Sequence, residues 1–265
     1  VSDPVDVLVD LRAEGDELDA LVADLTPADW SRPTPAPRWT LAHQIAHLAW
    51  TDRAALLAVT DAEGFAAEVE KAPAAPERFV DEGAEEGAAL PPDVLLARWR
   101  DGRERLERAL RAVPPGGRFP WYGPPMSAPA MATARLMETW AHGQDVADAL
   151  GAVRTPTARL RHVAWIGHRA RGYAYLVRGE QPPPDPVRVE LTAPDGTSWT
   201  YGPEDAAQRV TGDALDFCLL VTQRIHRDDT ALVAEGADAE RWLSFAQAFA
   251  GPAGAGRPAR EEARP

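Results

Sequence analysis

The sequence contains a single cysteine, Cys218, and that scarcity removes whole classes of chemistry. One cysteine forms no disulfide within the chain and builds no cysteine-based zinc site. It sits in an apolar run, DALDFCLLV, which suits a buried, inert thiol better than a nucleophile. Thiol chemistry would therefore need a thiol from outside. Lysine is as scarce: Lys71 is the only one, and nearly all positive charge is arginine. That bias, like the wealth of Ala, Pro and Gly, fits a GC-rich genome and carries no functional message. Positive charge is short overall, 28 Lys and Arg against 41 Asp and Glu, for a net charge of −13 and a pI of about 4.9. A nucleic-acid surface needs a clustered positive patch, and docking on an anionic membrane needs one too. Long apolar runs are missing as well. No stretch approaches the roughly 20 apolar residues of a membrane span, and VSDPVDVLVDLRAEGD has no basic region followed by an apolar one. The expectation is a cytoplasmic protein with small-molecule partners, without nucleic acid or membrane, as a monomer or homodimer.

What is present is 265 residues, 45% of them hydrophobic, enough for one large domain or two ordinary ones. Apolar residues at helical spacing predict four long helices: Pro4–Leu25 with Asp3 as cap, Trp39–Thr60 with Thr40 as cap, Pro92–Val113, and Met131–Leu150 stopped by Gly151. Between the second and third, an Ala/Glu-rich stretch with breaks at Pro73, Pro76, Gly83 and Gly87 suits short helices. Its acidic face at Asp81, Glu82, Glu85 and Glu86 needs no partner beyond solvent. A further helix is expected over Pro156–Gly179. At Gln181–Pro186 the character changes. A strand at Val187–Leu191, a turn at Pro194-Asp195-Gly196 and a return strand at Ser198–Tyr201 follow. Arg209–Gly212 leads to a helix over Asp213–Gln223, then a strand over Asp229–Glu235 and a helix over Ala237–Phe249. These features predict a mostly α protein: a helical bundle over residues 1–180, a small α/β domain over 181–250, and a disordered tail over 251–265.

Two helices carry the candidate chemistry. Glu138 and His142 lie four apart in the fourth long helix, so a carboxylate and an imidazole share one face, one turn apart. His43 and His47 lie four apart in the second, beside its apolar stripe. Helices that turn His and Glu inward are how a bundle builds a metal site, although the same spacing suits a surface pair and two core histidines. The loop FPWYGPPM, which carries Trp121 and Tyr122, leads into the Glu138–His142 helix. It either lines a pocket mouth, with Met126 and Trp140, or is a packed connector.

WTLAHQIAHL, with Trp39-Thr40 followed by His47-Leu48, resembles the second-helix signature of DinB-like four-helix bundles. ETWAHGQD, with Glu138, His142 and Asp145, resembles the later helix of the branch typified by mycothiol-dependent maleylpyruvate isomerase. The stretch Trp121–Gly151 looks closer still to an uncharacterised metal-binding subgroup. The resemblance implies a DinB-like four-helix bundle followed by a small C-terminal α/β domain. It implies metal ligands at His47, Glu138 and His142, because Trp39 to His47 has the family's spacing, and it leaves His43 packed or supporting. It also implies a basic functional residue at Arg224, with His226 or Arg227 nearby, to hold a substrate carboxylate or a developing enolate. A solvated helix end explains that basic cluster equally well. The C-terminal region resembles a domain of wyosine tRNA-modifying enzymes, a lead the acidic charge does not encourage.

Two imidazoles and a carboxylate leave a tetrahedral metal at least one open position, the mark of a catalytic site. Zn²⁺ suits such ligands best, and Ni²⁺ or Fe²⁺ follow. Asp145 or Gln144 is placed to orient a ligand histidine, unless Asp145 is on the surface. The leading expectation is a metal-dependent transferase or isomerase that uses mycothiol or another low-molecular-weight thiol on a small electrophile, with the thiol bound at Trp121 and Tyr122. The alternatives are thiol-independent metal-dependent hydrolysis, a natural-product tailoring step, and a non-catalytic binding protein.

Overall fold

The structure, a computed structural model, describes residues 7–71 and 76–260. The expected cap at Asp3 and Pro4, the break at Pro73 and the last five residues of the tail lie outside them. The chain divides into two compact units, Val1–Arg154 and Thr155–Pro265.

The first unit is the bundle. Its long helices are α1 (Val7–Val22), α2 (Leu41–Thr60), α5 (Pro92–Ala112) and α6 (Ala128–Leu150), with the shorter α3 (Ala62–Lys71) and α4 (Pro76–Ala88) between α2 and α5. Thr40 caps α2, and Ser127 caps α6, accepting from the Ala130 amide. Gly151 ends α6 in the left-handed conformation (φ 68°), which costs glycine nothing. Gly83 and Gly87 do not break the chain; they lie inside α4 and let it close on α2. A Cβ on Gly87 would fall 2.7 Å from the Ala46 methyl, and one on Gly83 would fall 3.0 Å from the Trp50 ring. Asp81 is also more than a solvated charge, since it accepts from Arg38 Nη2 at 2.9 Å and from Trp39 Nε1 at 3.2 Å.

The bundle core is two apolar clusters. One gathers Leu41, Ile45 and Leu48 of α2 with Leu95 and Trp99 of α5 and Val146 of α6. The other gathers Ala55 and Ala58 of α2 with Leu106 and Leu110 of α5 and Met131 of α6. Between them, along α2 and α6, falls a buried polar layer: Asp52, Arg135, Thr139 and His142. The loop into α6 opens with a two-residue hairpin, β1 (Arg118–Phe119) against β2 (Met126–Ser127), which no sequence pattern announced.

The second unit is a small α/β domain. Helix α7 (Leu160–Arg169) and helix α8 (Arg171–Leu176) replace the one long helix expected over Pro156–Gly179. A mixed sheet of β3 (Val187–Thr192), β4 (Ser198–Tyr201), β5 (Gln208–Asp213) and β6 (Val233–Glu235) runs in the order β4-β3-β5-β6, with β3 and β5 parallel. Helices α9 (Ala214–Val221) and α10 (Ala237–Leu243) complete it, both shorter than expected. Helix α7 belongs here rather than with the bundle. Gly167 lies so close to α9 that a Cβ would meet Val221 at 2.7 Å, and the Cys218 thiol donates to the Leu160 carbonyl at 3.4 Å. His168 Nε2 also lies 3.1 Å from the Val187 carbonyl on β3. The division between units thus falls before α7, ahead of the composition change at Gln181–Pro186. Residues 251–260 hold no helix or strand but are tied down within this unit. Gln247 Nε2 lies 3.2 Å from the Gly251 and Pro252 carbonyls, and the Arg260 amide donates to Asp229 at 3.0 Å. Among the described residues, no helix is long and apolar enough to cross a membrane.

Candidate metal centre

His47 comes from the first half of α2, and Glu138 and His142 from the middle of α6. Both helices turn these residues inward: His47 is 7% exposed and His142 is 9% exposed. One ligand atom from each of the three lies within 4.8 Å of the others. His142 Nε2 is 3.2 Å from Glu138 Oε2, and His47 Nε2 is 3.6 Å from the same oxygen. The two imidazoles face each other with ring centres 4.5 Å apart.

The electrostatics put these groups in the states that bind a cation. Burial, with His142 beside it, brings the His47 imidazole down to about 4, so the ring is neutral at neutral pH. Burial pushes the Glu138 carboxyl up, but the His142 and His47 imidazoles beside its oxygen outweigh burial and hold the group well below the usual carboxylate range. A neutral imidazole and an ionised carboxylate are what a divalent metal requires of such residues. His47 Nδ1 is buried and has no hydrogen-bond partner among the described residues.

Aromatic rings wall the cluster. Trp39 stacks on His142 with centres 5.8 Å apart at 19° and lies 5.3 Å from His47, while Trp50 is 6.3 Å from His47. The loop that delivers Trp39 has Arg38 in the left-handed region (φ 68°), and an isolated bridge from Pro33 to Thr40 closes it. His43 has a different task. Its Nδ1 accepts from the Thr40 amide at 3.3 Å, taking the place Glu or Gln holds in a capping box. Gln144 donates to Asp148 at 2.7 Å along α6. Asp145 is buried, not on the surface. At His142 Nδ1 lies Gln44, whose Oε1 is 2.5 Å away. Sequence reading missed it, although its place three residues before His47 puts it on the same face of α2.

One helical turn along the same two helices, Arg135 Nε donates to Asp52 Oδ1 at 2.9 Å, both side chains buried. A cavity of about 60 Å³ beside this pair, lined by Arg12, Arg103, Glu107 and Thr139 among others, has room for water rather than substrate. Trp121 and Tyr122 pack on Phe65 of α3, with ring centres 5.7 and 5.2 Å away. They sit at the Met131 end of α6, about 10 Å along the helix from Glu138, and Tyr122 is 45% exposed. In the second unit, Arg224 Nη1 donates to the Thr222 carbonyl at 2.6 Å. His226 Nδ1 accepts from the Asp228 amide at 3.2 Å, capping a short turn of 3₁₀ helix. The Cys218 thiol is wholly buried, and burial raises it well above its ordinary value.

A helical bundle with an inward-facing N,N,O cluster, joined to a small α/β domain, defines the class. Residues 11–147, more than half of the chain, match the family described as the mycothiol maleylpyruvate isomerase N-terminal domain, and the chain belongs to that family. Residues 183–235 match a second family, wyosine base formation. Two proteins of Mycobacterium tuberculosis, from strains H37Rv and CDC 1551, are each 58% identical over 257 residues, covering 97% of this chain and 100% of theirs; both are described only as uncharacterized. The crystal structure of the mycothiol-dependent maleylpyruvate isomerase superposes with a TM-score of 0.59 at 20% identity, covering 86% of this chain and 91% of that one. A histidine-to-alanine mutant of that isomerase gives a TM-score of 0.58 at 21% identity, with the same coverage. Identity that low speaks for the fold alone.

Proposed function

We propose that the protein is a metal-dependent enzyme that uses a low-molecular-weight thiol, mycothiol or a chemical relative, to isomerise or conjugate a small electrophilic substrate. One observation carries the reading: an ionised carboxylate and two imidazoles converge on one point in the interior of a bundle of the mycothiol maleylpyruvate isomerase family. His47, Glu138 and His142 would hold the cation, and their N,N,O donor set suits Zn²⁺ best, with Ni²⁺ or Fe²⁺ as further candidates. When bound, such an ion would supply the Lewis acidity that lets a thiol lose its proton near neutral pH.

The protein's own residues supply the rest. Trp39 and Trp50 shield the imidazoles from water, which strengthens every electrostatic interaction there. Cys218 is too deeply buried to serve as nucleophile, which supports a thiol from outside. A thiolate adding to an activated alkene forms a C–S bond and sends the π pair onto the activating group. Rotation about the new single bond and expulsion of the thiolate give the isomer, whereas protonation of the adduct gives the conjugate. Trp121 and Tyr122 are assigned to the thiol-binding wall because Tyr122 is exposed on the loop that feeds α6. Arg224 and His226 are assigned to an anionic substrate on family resemblance, and Arg224→Ala is expected to keep metal while slowing turnover of anionic substrates. An unchanged rate removes Arg224 from that role.

The test is elemental analysis of the purified protein beside His142→Ala, with calorimetric titration of mycothiol into both. The reading expects near-stoichiometric metal, lost in the variant, and thiol binding that depends on the metal. Metal without thiol binding would redirect it to hydrolysis or Lewis-acid tailoring. No metal in either protein would end it.

A further inference from the structure

We propose that Gln44 is a positioning residue for the His47–Glu138–His142 site: it fixes His142 in the tautomer whose Nε2 lone pair faces Glu138. The inference deepens the metal-site reading and rests on it for its purpose.

The direction of the hydrogen bonds is set at Thr34. Its hydroxyl has one hydrogen, and the Trp39 carbonyl, 2.9 Å away, can only accept it. Toward Gln44 the Thr34 oxygen is therefore an acceptor, and Gln44 presents its NH₂ there, at 2.9 Å. An amide with its NH₂ on one side turns its carbonyl to the other, and Gln44 Oε1 meets His142 Nδ1 at 2.5 Å. A carbonyl only accepts, so Nδ1 carries a hydrogen. The lone pair of a neutral His142 is then on Nε2, 3.2 Å from Glu138 Oε2. Two acceptors this close with no hydrogen between them repel; a cation shared by both turns the contact favourable.

The relay is held on every side. Gln44 is fully buried, out of reach of bulk solvent. The Thr34 amide donates to the same Trp39 carbonyl at 2.9 Å, so the loop geometry fixes the acceptor. Trp39 thus acts twice on His142: its ring lies against the imidazole, and its carbonyl, through Thr34 and Gln44, sets the hydrogen. His47 has no counterpart, since its Nδ1 is buried without a partner among the described residues. His142 is therefore the pre-oriented ligand of the pair. Without the Gln44 carbonyl the hydrogen would move to Nε2 and bond to the Glu138 carboxylate, which closes the lone pair to metal.

The experiment has two readouts. In metal-free protein, long-range ¹H–¹⁵N NMR of the His142 ring reports which nitrogen bears hydrogen. The expected result is a hydrogen on Nδ1 in the wild type and in Gln44→Glu, which keeps an acceptor, and on Nε2 in Gln44→Leu. Thr34→Val, which frees the amide to flip, should give a mixture, and it serves as the test if Gln44→Leu fails to fold. Zn²⁺ affinity, measured by competition with a chromophoric chelator, should fall about 10- to 100-fold in Gln44→Leu and hold in Gln44→Glu. A wild-type Nδ1 without hydrogen overturns the proposal, and so do an unchanged tautomer and affinity in Gln44→Leu. If the wild type binds no Zn²⁺ while Gln44→Leu still moves the hydrogen, control of the tautomer stands and the metal reading falls.

Discussion

Two buried polar groups lie one helical turn apart between α2 and α6, and they are built on opposite principles. Asp52 and Arg135 form a closed pair, a donor against an acceptor at 2.9 Å with opposite charges. His47, Glu138 and His142 instead bring two imidazole nitrogens to one carboxylate oxygen, at 3.6 and 3.2 Å. The first arrangement pairs both charges within the protein, with Arg135 Nη2 left without a hydrogen-bond partner among the described residues. The second leaves its partner to come from outside, which is how a binding site differs from a structural ion pair. The same helices therefore supply a fixed point and an open one side by side.

Breaking the closed pair should have the largest effect on the fold. Arg135→Ala strands a buried carboxylate and is expected to cost about 3–5 kcal/mol in urea unfolding. Replacing both partners, Asp52→Leu with Arg135→Met, should recover most of that loss. If Arg135→Ala unfolds at the wild-type midpoint, the pair is not structural. The open cluster should answer to metal instead. Zn²⁺ at about 100 times its dissociation constant should raise the stability of the wild type by about 2.7 kcal/mol. A chelator should reverse the gain, and Glu138→Ala should show none. A smaller effect sharpens the contrast: metal-free Glu138→Ala should lose no more than about 1 kcal/mol, because its nearer contact, with His142 Nε2, sets one acceptor against another. A loss as large as that of Arg135→Ala would make the two groups alike.

The smallest effect concerns a pair at the bundle's edge. The hydrogen bond from Arg100, at 2.5 Å, outweighs burial and holds the Asp19 carboxyl below its ordinary value. A carboxyl lowered in the folded state adds stability above its unfolded value near 3.8, and that stability is lost as pH falls through the folded value. Asp19→Asn should flatten this acid limb by less than about 1 kcal/mol, read from urea midpoints on either side of pH 3.8. An acid limb identical to that of the wild type would show that the contact contributes nothing.

Helical periodicity was enough to find the four long helices, because each buries a continuous stripe over several turns. It also paired Glu138 with His142, since i and i+4 share a face whatever the tertiary structure. It left His43 and His47 equal, and the resemblance separated them. The structure gives His43 a reason of its own, as a cap for the turn that starts at Thr40. Gln44 stayed hidden because its partner lies on another helix, and spacing along one helix carries no record of that. Strand β5 escaped because Arg209–Gly212 is short and ends in glycine, and its identity comes from pairing with β3. The residues assigned to thiol and substrate, Trp121, Tyr122, Arg224 and His226, rest on loop position and resemblance. No periodicity reports what a loop or a helix end will meet.

The central claim is that the His47–Glu138–His142 cluster is a cation site. It is met most directly by titrating Zn²⁺ into chelator-stripped wild-type protein and into His142→Ala by calorimetry. The account predicts one ion per chain in the wild type and none held at that affinity in the variant. Equal binding in both, or none in either, would contradict it.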